Sequence, residues 1–171
     1  MTQYHYDVVT TTFGNFYILD SNKGLHFILK NNDPRINIIK SSFAPKKTLH
    51  NPNIKKIFIN LCKGKKINDK IKIYFLIGTK LQKKVWKTLQ SIKRGTTISY
   101  SDMANKVLNK NAVRAVASAV GKNPISIVLP CHRVIAKDGS IGGYVWGLNM
   151  KAKLLDIEVG GTADSICRGG K

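Results

Sequence analysis

The chain reads as α/β followed by α: a small N-terminal α/β domain with a β-sheet, then a mostly helical C-terminal domain with a winged-helix-like helix-turn-helix. Three observations predict this. The first half alternates short β-prone runs with Asn/Gly turns. From Gly78 onward the apolar residues change to helical spacing. Two short helical segments, the second rich in alanine, then meet at a break over Asn109–Asn111. The expected boundaries are 1–77 for the first domain, 78–159 for the second and 160–171 for a loose, Gly-rich tail.

In the first domain, Phe16–Leu19 and Leu25–Leu29 flank Asp20-Ser21-Asn22-Lys23-Gly24 and predict a hairpin. Ile54, Ile57, Phe58 and Leu61 share one helix face, and that helix ends at Cys62-Lys63-Gly64. Ile71–Ile77, rich in Ile, Tyr and Phe, predicts another strand. In the second domain Leu81, Val85, Leu89 and Ile92 line a helix with Trp86 beside them, and Gly95 ends it. Ser99 or Ser101 caps the next helix, which turns Met103, Ala104 and Val107 inward. Ala112–Val120 forms the small-residue helix, closed by Gly121. Its Ala115, Ala117, Ser118 and Ala119 suit close approach to another surface or tight helix packing equally well.

Ile125, Ile127, Val128 and Leu129 predict a buried strand or strand-like segment, and it runs into Pro130-Cys131-His132-Arg133-Val134. A thiolate is the strong nucleophile of protein chemistry, and a histidine is the usual means of making one at neutral pH. A cysteine in an apolar stretch is otherwise a small buried hydrophobe, and a catalytic base is normally adjacent in space rather than in sequence.

Composition narrows the class. The 171 residues are 43% hydrophobic, which is globular, and no apolar run is long enough to span a bilayer. The N-terminus lacks the basic and apolar stretches of a secretory signal. Cys62, Cys131 and Cys167 are odd in number and widely spaced, which suits a reducing interior and a free thiol. The formal charge is +20, from 29 basic and 9 acidic residues, and it suggests a polyanionic partner, most simply nucleic acid. Only five of the basic residues are arginine. Diffuse lysine supplies non-specific phosphate attraction rather than sequence readout, and an AT-rich genome or thermal adaptation gives the same composition without any partner. His5, His26, His50 and Cys62 show no zinc-ligand spacing. No metal or organic cofactor is expected.

Three stretches, with four motifs among them, carry a resemblance: GTKLQKKVWKTLQSIKRGTTISYSDMANKV, NAVRAVASAVGKNPISIVLPCHRVI and GSIGGYVWGLNMKAKLLDIE. In this order and spacing the region from Gly78 to Glu158 resembles the O6-alkylguanine-DNA alkyltransferases, the methylated-DNA–protein-cysteine methyltransferases. The first 77 residues resemble them far less. The resemblance implies irreversible transfer of an alkyl group from O6-alkylguanine in double-stranded DNA, with O4-alkylthymine a second candidate, to Cys131 in a single turnover. It implies that His132 is the base, acting through a water, and that Glu158 orients and balances it. Tyr100 would hydrogen-bond the guanine and protonate the departing base. Arg114, beside Ala115 and Ser118 on the DNA-facing helix, would fill the space of the extruded nucleotide, and Asn123 would brace the loop leading to Cys131. Val134, Tyr144, Val145, Trp146 and Lys151 would form the pocket. Trp146 stands where other members carry a small residue, so it would stack on the substrate or narrow access. A monomer working in the cytoplasm on the nucleoid, or in the nucleus of a eukaryote, follows.

Two other classes stay open on the residues alone. A helix-turn-helix regulator explains the charge but not the Cys-His motif followed by Glu158. A cysteine hydrolase explains the motif but requires an oxyanion hole and repeated turnover.

Overall fold

The structure, a computed structural model, describes residues 2–160 and divides into two compact units. The first holds the residues through Ile77 together with Pro124–Val128, and the second holds Gly78–Asn123 and the residues from Leu129 onward. The fold is mixed α/β, as the alternation of patterns predicts. The tail beyond Gly160, with Cys167, lies outside the described residues.

In the first unit, β1 (Tyr4–Thr11), β2 (Gly14–Ser21), β3 (Gly24–Lys30) and the two-residue β4 (Lys46–Lys47) form one sheet in the order β3-β2-β1-β4. β1, β2 and β3 pair antiparallel, and β4 joins β1 in parallel. Alternate β2 side chains point to opposite faces. Tyr17 and Leu19 join Phe27, Leu29, and Ile36 and Ile39 of α1 (Arg35–Phe43) in one core cluster. Phe16 instead meets Phe58 of α2 (Asn53–Cys62) edge-on, with ring centroids 5.1 Å apart. β2 is buried on both faces as a result, which is why it reads as a continuous apolar run.

The expected hairpin is β2–β3. The segment Ile71–Ile77 departs from expectation: it forms a single parallel bridge, Leu25↔Ile73, rather than a strand. The free edge of β3 is shared. Leu25 N–H donates to the Lys72 carbonyl at 2.8 Å, while Ile28 N–H donates to Pro124 O at 2.9 Å, so each visiting segment receives only part of the edge. Gly24 sits at φ 133°, and a Cβ there would lie 2.5 Å from Lys72 O, so both the turn and the close approach require glycine. In the Pro124–Val128 segment Ile127 adopts φ 72°, an uncommon conformation for a β-branched residue.

In the second unit, α3 (Lys80–Leu89) begins with a capping box in which Thr79 and Gln82 satisfy each other's backbone N–H groups. It buries Val85, Trp86 and Leu89, and Ile92 packs just beyond its end. The Trp86 indole N–H donates to Ala119 O of α5 (Val113–Gly121) at 2.8 Å. A Cβ at Gly78 would reach the Trp86 ring at 2.5 Å, so this glycine lets the chain pass over the indole. Ser99, not Ser101, caps α4 (Tyr100–Val107): its hydroxyl accepts from Asp102 N–H at 3.0 Å. β5 (Ile98–Ser99) and β6 (Val134–Ile135) pair in parallel, and α6 (Leu148–Glu158) completes the unit. Among the described residues no helix is long and apolar enough to cross a membrane.

Candidate active site

Cys131 opens a short 3₁₀ turn, Cys131–Arg133, between Pro130 and β6. Its thiol is free and only 4% exposed. Burial pushes the thiol pKa up. The Asn123 amide, the charge of Lys151 and the Tyr144 hydroxyl all act the other way, favouring thiolate, but burial prevails. The thiol is therefore protonated and shielded from solvent. Asn123, itself buried, also donates from Nδ2 to Leu129 O at 2.9 Å, which fixes the backbone two residues before Cys131.

His132 is wholly buried. Its Nε2 lies 2.8 Å from Glu158 Oε1 at the end of α6. Burial pulls the imidazole pKa below its ordinary value, against the raising effect of Glu158. A neutral ring that donates from Nε2 to a carboxylate must carry its lone pair on Nδ1. That Nδ1 is buried and has no hydrogen-bond partner among the described residues. Glu158 also receives Arg133, from Nε at 2.9 Å and Nη2 at 2.8 Å, and Arg133 Nη1 donates to Ile92 O. Burial alone would raise the Glu158 pKa. The hydrogen bonds from His132 and Arg133 overcome it and hold the group at about 2.

Lys151, expected in the pocket, is wholly buried and directs its ammonium to three backbone carbonyls: Val134 and Ile141 at 2.6 Å and Gly143 at 3.1 Å. It ties the loop after Cys131 to α6. Burial lowers its pKa to about 8, with Cys131 acting in the opposite sense. The ammonium also lies 5.8 Å from the Tyr100 ring centroid. Tyr100, at the start of α4, has its phenol pKa raised by burial and then by Cys131, so it remains a protonated donor. Val134 is buried, and its carbonyl is occupied by Lys151. Val145 is exposed, and the Tyr144 and Trp146 rings meet edge-on at 6.0 Å. Arg114, Ala115 and Ser118 lie on the exposed face of α5, opposite buried Val116, Ala119 and Val120.

The family model for the DNA-binding domain of 6-O-methylguanine DNA methyltransferase matches residues 80–160. The inducible methylated-DNA–protein-cysteine methyltransferase of Bacillus subtilis is 40% identical over 152 residues, covering 84% of each chain. The chain belongs to the methylated-DNA–protein-cysteine methyltransferase family. The Haemophilus influenzae member is 31% identical over 165 residues, covering 92% of this chain and 88% of that one. The Kluyveromyces lactis member is 49% identical over 88 residues, but that match spans only 47% of its length. Among solved structures, Mycobacterium tuberculosis OGT in complex with DNA superposes with a TM-score of 0.79 at 28% identity, covering 90% of this chain and 92% of that one.

Sequence reasoning missed one residue of this methyltransferase site, Arg133. It stands inside the Cys-His motif and is one of only five arginines in a lysine-rich chain, and that scarcity was the available signal. Cys62 is buried packing, its thiol pushed by burial to about 12. Among the described residues no group of three His, Cys, Asp or Glu side chains is placed to hold a metal ion.

Proposed function

We propose that this chain repairs alkylated DNA by direct reversal, taking the alkyl group of O6-alkylguanine onto Cys131 in one irreversible turnover. The observation that carries the reading is the buried Cys131-His132-Glu158 arrangement, in which the carboxylate engages Nε2 and leaves Nδ1 basic. This is nucleophile, base and orienter. His132 Nδ1 takes the thiol proton, through a water in the family pattern. The Cys131 sulfur attacks the alkyl carbon in line. The new S–C bond forms as the O6–C bond breaks, and the electron pair stays on the guanine. Tyr100 donates a proton to the departing base, and the proton held by His132 restores the balance, so thiol and alkylguanine become thioether and guanine.

Guanine O6 is not open to in-line attack within the base stack, so the nucleotide must leave the duplex. α4 and α5 form a winged-helix-like helix-turn-helix, and α5 presents Arg114, Ala115 and Ser118 to DNA, with Arg114 filling the vacated space. Asn123 braces the approach to Cys131. Lys151 shapes the pocket by holding its loop, while Tyr144, Val145 and Trp146 face the alkyl group and set which alkyl groups enter. The protein acts as a monomer wherever the chromosome lies, and O4-alkylthymine is a second candidate substrate.

Stoichiometry tests the reading. Excess O6-methylguanine duplex should transfer one methyl equivalent per chain and then nothing more. Continued turnover would favour a hydrolase-like cysteine enzyme, and binding without transfer would favour a DNA-binding regulator.

A further inference from the structure

The first unit carries a basic strap that the alkyl-transfer chemistry does not use. Residues 63–72 read KGKKINDKIK, with five lysines and one aspartate, and Lys63, Lys65, Lys66, Lys70 and Lys72 are all exposed. The strap has no helix or strand of its own beyond the bridge that follows it at Ile73. It is tied at both ends. At the α2 terminus Gly64 N–H donates to Leu61 O at 3.0 Å and Lys65 N–H to Asn60 O at 2.9 Å, and at the far end Lys72 O accepts from Leu25 at 2.8 Å.

Beside it lies an open cavity of about 330 Å³ whose wall includes Asn51, Asn53, Lys56, Asn60 and Lys70. Asp69 is the one acidic residue in that lining. Lys63 caps α2 where the helix dipole is negative, which accounts for a cation there, but Lys65, Lys66, Lys70 and Lys72 all follow the helix. A fully extended backbone spans at most roughly 3.3–3.6 Å per residue, which sets the upper limit on the strap's reach along a phosphate backbone. Lysine and asparagine side chains donate hydrogen bonds to phosphate and sugar, and such contacts carry no sequence information.

We infer that the strap Lys63–Lys72 is a second contact for the DNA phosphate backbone, separate from the α5 face. The inference rests on the DNA-repair reading above and adds to it a role for the first unit: holding the protein on undamaged duplex during search.

The test compares two triple variants of the full chain, K65Q/K66Q/K70Q in the strap and K23Q/K46Q/K47Q at exposed lysines elsewhere in the same unit. Binding to undamaged duplex is measured by fluorescence anisotropy as a function of salt. Each lost phosphate contact flattens the slope of log affinity against log salt by about 0.9. The strap variant should therefore lose about 2.7 from the slope, so that wild type weakens roughly 40-fold more than the variant between about 50 and 200 mM salt. The control should lose less than about 1. Methyl transfer from the free O6-methylguanine base should be unchanged in both, which also reports that they fold. Equal losses in the two variants, or no loss in the strap variant, would overturn the inference while leaving the repair reading intact. Wild type that binds duplex yet transfers no methyl from O6-methylguanine DNA would overturn the repair reading on which the inference rests.

Discussion

His132 Nε2 and Glu158 Oε1 lie 2.8 Å apart, and both side chains are buried. This contact sets the tautomer: the carboxylate holds the Nε2 proton, so the lone pair lies on Nδ1. Arg133 reinforces it by binding both carboxylate oxygens and keeping Glu158 ionised. Glu158→Gln keeps the shape but removes the charge. Transfer to Cys131 should slow by roughly 10- to 100-fold, within the range of general-base effects. His132→Ala should slow it at least as much, and the double variant should be less than additive because the groups act as a unit. Single-turnover rates on O6-methylguanine duplex check this, and additive losses would count against a shared relay.

The same contact predicts acid sensitivity. Glu158 titrates at about 2 in the fold against an ordinary value of 4.5, so the stability it contributes is complete above 4.5 and drains as pH falls towards 2. The amount is on the order of 3 kcal/mol. Buried His132 has a depressed pKa, so stability also begins to fall as pH drops through its ordinary value of 6.5. Both effects have the same sign. Urea unfolding across acidic pH should show two stages of loss, and Glu158→Gln should remove the lower one.

Lys151→Met should keep the packed stem but leave the carbonyls of Val134, Ile141 and Gly143 without their shared donor. A buried acceptor without a partner costs about 1–3 kcal/mol, so thermal unfolding should shift down clearly. Transfer should slow in the molecules that remain folded, because the pocket loop loses its tie to α6. An unchanged melting temperature would show that the three contacts are not formed.

The fold was legible where the apolar residues of an element either keep its spacing or run continuously through it. β2–β3, α2, α3, α4 and α5 all follow their apolar spacing. Ile71–Ile77 was misread because its composition is that of a strand, while the edge it needs is shared with Pro124–Ser126, and no local pattern reveals such competition. Cys131 and His132 were legible as neighbours in a motif. Glu158 was not separable from Asp156 without the family pattern, although it is the only glutamate in the chain. Its meeting with His132 joins residues 26 positions apart and depends on how α6 packs. Arg133 was legible as part of the same motif, but its ion pair with Glu158 depends on the same packing of α6.

Arg114 is exposed on α5, where the account gives it a role in base extrusion rather than bond chemistry. Extruding a paired base costs a few kcal/mol, and a side chain filling the gap offsets part of that. Arg114→Ala should slow transfer from duplex DNA far more than transfer from the free base. Arg114→Lys, which keeps the charge but loses the planar stacking surface, should recover only part of the duplex rate. Equal losses on both substrates would place Arg114 in the pocket or the fold instead.

The most direct measurement is intact mass followed by peptide mapping after incubation with O6-methylguanine duplex. The account predicts a gain of one methyl in place of one hydrogen per chain, confined to the peptide that contains Cys131, and no gain in Cys131→Ser, because a hydroxyl without strong activation is a far poorer nucleophile. A methyl group found on Cys62 or Cys167, or an unmodified chain alongside repaired DNA, would contradict it.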